Sequence, residues 1–173
     1  MTNSTLPERV HGLGIVSPER TLPPRTRDRR PSPAAPSPDL RALAARRAAI
    51  NRAACAPPGP LHVVLYALTG LGMDPSADLA EARGYAEREH LVVIDQVVDT
   101  LTSRAAGGAD DPMLRRGYGR VLQMLGDPAS PVRGVVAVSR IAISPVDHLY
   151  EAQLIRYADR GAGLWFVRRE TEI

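Results

Sequence analysis

Two short stretches place reactive side chains where an α/β protein would use them. The first, "LHVVLYALTGLG" over residues 61–72, is an apolar run that ends in a loop of small residues carrying Thr69, Gly70 and Gly72. The second, "AVSRIAI" over residues 137–143, carries Ser139 and Arg140 after another apolar run. Loops at strand ends can hold a nucleophile, an anion or a nucleotide phosphate, and each chemistry needs its own companions. A hydroxyl nucleophile needs a base and positive charge within hydrogen-bond reach. Thr69 and Ser139 come with neither, so each reads as an ordinary strand-end residue, with a shifted loop presenting Thr69 as the alternative. Arg140 reads as an anion ligand or as one half of a structural ion pair with a neighbouring acid.

The "GLG" of residues 70–72 resembles a phosphate cradle at the start of a helix. It falls short of a dinucleotide fingerprint, and Asp74 adds charge of the wrong sign, so a tight turn is the better reading. His62, His90 and His148 lack metal-ligand spacing, and the single cysteine, Cys55, excludes both an internal disulfide and a cysteine-based zinc cluster. No cofactor and no metal is expected.

The elements that must position these residues follow from the apolar pattern. From residue 61 onward, short β-branched runs alternate with segments of helical period. Strands are expected at 61–67, 91–99, 132–139 and 163–169. Helices are expected after Asp74, Pro75 or Ser76 with Leu79, Ala82 and Ala86 inward, and from Pro112 to Leu125 with Leu114, Val121 and Leu125 on one face. A third is expected over 145–161 with Val146, Tyr150, Leu154 and Ala158 on a stripe and Gly161 as its cap. Between the second strand and the second helix, residues 100–111 read as irregular. Buried runs joined by crossover helices imply an α/β fold, three-layered and mainly parallel, with helices on both faces. Trp165 falls on the last strand as core or edge packing.

Composition divides the 173-residue chain near Gly59. Residues 1–58 hold ten Arg against four acids, and residues 59–173 hold twelve Arg against fifteen acids, so the total of +3 conceals two segments of opposite sign. Lysine is absent, and the first segment also holds ten of the sixteen prolines. It therefore reads as a largely disordered Arg/Pro-rich tail, with a helix over 39–54 resting on the body and a thin stripe of Leu40, Leu43 and Ile50. Arg25, Arg27, Arg29, Arg30, Arg41, Arg46, Arg47 and Arg52 would give that tail weak, sequence-independent affinity for nucleic acid. The N-terminus lacks the apolar core of a signal peptide and no stretch reaches membrane-spanning length, so a cytoplasmic setting without membrane contact is expected.

Over residues 61–170 the chain resembles the N-terminal catalytic domain of the serine recombinases, the resolvase and invertase family. "YALTG" stands for the family's Y-A-R-V-S strand end, and "ARGYAEREHLVVIDQVVD" contains an R-x-Y-A-E-R type segment. "DDPML" stands for D-R-P-x-L, "AVSRIAI" for D-R-L-x-R, and "RGAGLWFV" for the G-V-x-L type strand. The resemblance implies strand order 2-1-3-4, and it implies a site in which a serine attacks a DNA phosphodiester while arginines stabilise the phosphate. At the matching positions the serine is Gly70, the arginine two residues earlier is Leu68, and the arginine of D-R-P is Asp111. The D-R-L-x-R charges become Ser139, Arg140 and Ile143, so Arg140 alone is retained.

The expectation is a non-catalytic recombinase-like protein that acts as an interaction or accessory module in a DNA-related process, with an unidentified protein or an intact recombinase paralogue as partner. Two alternatives stand beside it: strand exchange with residual or partner-dependent activity, and a module that binds a small ligand or anion at the strand ends.

Overall fold

The structure, a computed structural model, describes residues 38–101 and 109–168. The expectations for residues 1–37, including Arg25, Arg27, Arg29 and Arg30, lie outside the described residues, as does most of the irregular stretch over 100–111. The elements run α1 (Pro38–Cys55), β1 (His62–Gly70), α2 (Ser76–Arg88), β2 (Val92–Leu101), α3 (Arg116–Gly126), β3 (Val132–Ala137), α4 (Asp147–Asp159) and β4 (Gly163–Phe166). Short 3₁₀ turns at Pro112–Leu114 and Arg140–Ala142 precede α3 and α4.

The four strands form one parallel sheet in the order β2-β1-β3-β4. This is the α/β arrangement and strand order expected from the sequence. The central strand β1 is apolar on both faces because both are covered. Val64 and Tyr66 enter the larger core with Tyr118, Val121, Leu125, Tyr150, Leu154 and Tyr157 of α3 and α4, while Val63 and Leu65 pack with Ala82 and Ala86 of α2. At β2 every second residue from Val92 to Thr100 is exposed, as befits an edge strand covered chiefly on one face.

Two expectations need correction. The helix expected from Pro112 begins at Arg116, because Arg115 is extended (φ −100°, ψ 127°) and separates it from the 3₁₀ turn. Leu114 consequently points away from the core and is 64% exposed. On α4 the buried stripe is Tyr150, Gln153, Leu154 and Tyr157, so Ala158, expected inward, is exposed. Gly161 does take the left-handed conformation that ends this helix (φ 60°).

α1, expected as a helix resting on the body, packs against β4 and α4. Leu43 and Ile50 enter the larger core, Ala54 the smaller, and the Asn51 amide brackets Leu164 on β4, donating to its carbonyl at 2.9 Å and accepting from its N–H at 2.7 Å. Asn51 thus satisfies the strand edge as a neighbouring strand would.

Candidate functional site

The carboxyl ends of β1 and β3 adjoin at the centre of the sheet, where the connection from β1 goes to one side and that from β3 to the other. In open α/β sheets ligands bind at such a reversal. Gly70, Leu71, Gly72 and Met73 form a tight turn there, closed by Met73 N–H donating to Gly70 O at 3.0 Å, with Gly72 at φ 75°. The Thr69 hydroxyl donates within this turn to Met73 O at 3.2 Å. The helix that follows offers no phosphate cradle. Pro75 stands at its N-cap without an N–H, and the Asp74 carboxylate takes both the Ser76 N–H (2.9 Å) and the Ser76 hydroxyl (2.5 Å). Those bonds hold the Asp74 carboxyl below the usual carboxylate range.

A cleft of about 180 Å³ opens beside this turn, lined by Leu68, Asp78, Val138, Ser139, Ile141, Ala142 and Arg168. Its one cation pairs with Glu81 at 2.7 Å. A larger cleft of about 400 Å³ lies between α1 and α4, with Arg46, Glu151 and His148 in its wall. Its Arg46 and Glu151 pair with each other at 2.8 Å, and it lies between two helices rather than at the strand ends where open α/β sheets bind ligands, so the smaller cleft is the better candidate site.

Arg140 is buried and faces inward. Its guanidinium donates to Ser144 O (3.3 Å), Pro145 O (3.1 Å) and the Asp147 carboxylate, and lies over the Tyr150 ring at 4.8 Å. These contacts fasten the loop before α4 and commit the guanidinium to the protein. Asp111 caps the 3₁₀ turn by accepting from Met113 N–H at 2.9 Å, and Ile143 is fully buried. Thr69, Gly70, Ser139 and Arg140 therefore share one edge of the sheet without converging on a common point. Of the α1 arginines, Arg46 pairs with Glu151, Arg47 donates to Leu164 O at 3.3 Å and stacks on Phe166, and Arg41 and Arg52 are exposed.

Sequence reasoning missed the polar cluster beneath this edge. Asp99 at the end of β2 accepts from the Tyr66 hydroxyl (2.9 Å) and from the backbone N–H groups of Gly117 and Tyr118 (2.8 Å each), capping α3. Arg115, buried to 5% exposure, donates to the Tyr66 hydroxyl (3.2 Å), Ala142 O (2.6 Å) and Ala109 O (2.8 Å). Burial raises the Tyr66 hydroxyl far above its ordinary value, outweighing the opposing pull of Arg115. With Tyr66 kept protonated and Arg115 surrounded by carbonyls, the cluster ties β1, β2, α3 and the turn after β3 together. Among the described residues no group of His, Cys, Asp and Glu could hold a metal ion, and no helix is long and apolar enough to cross a membrane.

No protein-family model and no curated protein matches the chain. Among solved structures it is similar to the C-terminal catalytic domain of ISC1926 TnpA, an IS607-like serine recombinase, at 14% identity over 62% of this chain and 70% of that one, with a TM-score of 0.49. It is also similar to the N-terminal catalytic domain of TP901-1 integrase, at 18% identity, covering 61% of this chain and 76% of that one, TM-score 0.49. The first open reading frame of transposon ISC1904 from Sulfolobus solfataricus P2 matches at 18% identity over 64% of this chain and 70% of that one, TM-score 0.45.

Proposed function

We propose that this chain is a non-catalytic, serine-recombinase-like protein that serves as an interaction or accessory module in a DNA transaction. One observation carries the reading. The buried arginines nearest the strand ends, Arg115 and Arg140, direct donors to the protein's own carbonyls and to Asp147, while the position matched to the attacking serine is Gly70. Phosphoryl transfer needs a nucleophile and cations aimed at one phosphorus, and withdrawing a single such donor costs roughly a hundredfold to a thousandfold in rate. Leu68, Asp111 and Ile143 remove three more charges from the matched positions. The eight arginines named in residues 1–58 supply this reading with sequence-independent contact to nucleic acid, reduced by the engagement of Arg46 and Arg47.

The test is incubation of the full chain with supercoiled plasmid, followed by denaturation and a search for nicks and covalent protein–DNA adducts. Neither is expected, and Gly70→Ser is expected to remain inactive because the cations are still missing. An adduct through Thr69 or Ser139 in the unaltered chain would overturn the reading. Duplex binding followed across a salt series on the same preparation should fall steeply with salt. It should weaken when Arg25, Arg27, Arg29 and Arg30 are changed together to Gln.

A further inference from the structure

The turns at the carboxyl ends of the strands form a rim with a set of exposed apolar side chains, of which Ile141 also lines the cleft. Leu71 (72% exposed) and Met73 (68%) project from the turn after β1, Met113 (43%) and Leu114 (64%) from the 3₁₀ turn before α3, and Ile141 (43%) from the turn after β3. These are five of the nine large hydrophobic residues exposed among the described residues, and all five follow the carboxyl ends of strands. The Arg115 bond to Ala142 O and the Ser144 hydroxyl's bond to Asp110 O (2.6 Å) tie two of the three turns directly to each other. The third follows β1, which pairs with β3 along the shared edge.

Among the described residues, the charge around these apolar groups is negative. Asp74 and Asp110 are exposed and Asp111 is half-buried, with Asp78 in the cleft wall. Against them stand Arg116, exposed at the start of α3, and Arg168, which pairs with Glu81, while Arg115 and Arg140 are buried in internal contacts. A surface that combines methionine and leucine with carboxylates repels a phosphate backbone and suits a polypeptide of opposite charge. A second copy presenting the same rim would set carboxylate against carboxylate.

Resting on the accessory reading above, we infer that this rim is a docking surface for a basic, amphipathic segment of a partner protein. The partner's apolar side chains cover Leu71, Met73 and Leu114, and its arginines or lysines meet Asp74, Asp110 and Asp111.

The probe is a fluorescein-labelled synthetic peptide with leucines at helical spacing and arginines elsewhere, titrated into the full chain and followed by anisotropy. Saturable binding is expected. It should weaken at least tenfold in Leu71→Asp/Leu114→Asp, with unchanged melting temperature, and in Asp74→Arg/Asp111→Arg, measured well below the lowered melting temperature that the loss of these two caps brings. Ile155→Asp, a change at an exposed apolar residue on α4, should leave it unchanged. Equal binding of a peptide with glutamate in place of arginine would overturn the inference, as would binding insensitive to the rim variants or no saturable binding at all. Concentration-dependent dimerisation abolished by Leu71→Asp would assign the rim to a second copy instead. Failure here with a clean plasmid assay removes the docking surface alone, whereas a covalent DNA adduct removes the accessory reading.

Discussion

The Tyr66 hydroxyl donates to the Asp99 carboxylate at 2.9 Å, joining the central strand to the edge strand at the end of the sheet where the candidate site lies. The same carboxylate fixes the first turn of α3 through Gly117 and Tyr118. Gly117 is required for this approach, since a Cβ there would stand 2.7 Å from the Asp99 oxygen. A charged acceptor sharing two helix-terminal N–H groups is a strong cap.

Asp99→Asn should therefore lower stability by about 2–4 kcal/mol, because an amide can accept one of these N–H groups but turns its own NH₂ toward the other. Arg115→Met, which leaves Tyr66 and the carbonyls of Ala142 and Ala109 without that donor, should cost about 3 kcal/mol or more. Urea denaturation of the single and double variants checks this. Since both residues serve one cluster, the double variant should lose less than the two single losses together.

The strands were legible because runs of Val, Leu and Ile leave few other readings, and the order of runs and helical segments led to the sheet. What stayed hidden has physical causes. Tyr66, Asp99 and Arg115 come from three separated elements, and no spacing in the sequence marks side chains that meet only after the sheet forms. Arg115 also breaks a helical pattern that continues through it, since the competing pull is its burial among carbonyls rather than any local propensity. α1 is legible as a helix, but nothing in the sequence marks Asn51 as the residue that brackets a strand edge. Thr69, Gly70 and Arg140 were legible as candidates; that Arg140 turns toward Asp147 and Tyr150 depends on the path of the loop before α4.

The indole of Trp165 lies over Gly134 and Gly163, paired residues on β3 and β4, and a Cβ at either would overlap the ring. Trp165 is buried with Val136 and Val138 on the α2 side, so it has little freedom to withdraw. Gly134→Ala and Gly163→Ala should each cost about 1–3 kcal/mol through overpacking. Introducing Gly134→Ala into a Trp165→Leu background should cost clearly less, because the smaller side chain leaves room for the methyl. Equal costs in the two backgrounds, measured by thermal and urea unfolding, would show that Gly134 is needed for another reason.

Stability should also fall on the alkaline side, and the sign follows from the buried tyrosines. Burial raises the hydroxyls of Tyr66, Tyr118 and Tyr157 far above their ordinary range, and the neighbouring Tyr118 adds to the rise at Tyr157. Each therefore keeps its proton in the folded chain at a pH where the unfolded chain, with a tyrosine value of about 10, has begun to lose it. The unfolded state then binds fewer protons than the folded one, so the folding free energy is fully present below about pH 10 and declines as pH rises toward the folded values. Each tyrosine contributes a slope of about 1.4 kcal/mol per pH unit once the unfolded hydroxyl is ionised. Lysine, which would titrate in the same range, is absent from the chain. Tyr157→Phe should remove one share of the slope. It should change stability near neutral pH by no more than about 1 kcal/mol, since the buried Tyr157 hydroxyl lies beside that of Tyr118 and, among the described residues, meets no partner in good hydrogen-bond geometry. Urea midpoints measured from about pH 8 to pH 11 for the unaltered chain and the variant make the comparison. Parallel alkaline limbs would mean that Tyr157 ionises as freely in the fold as in the unfolded chain.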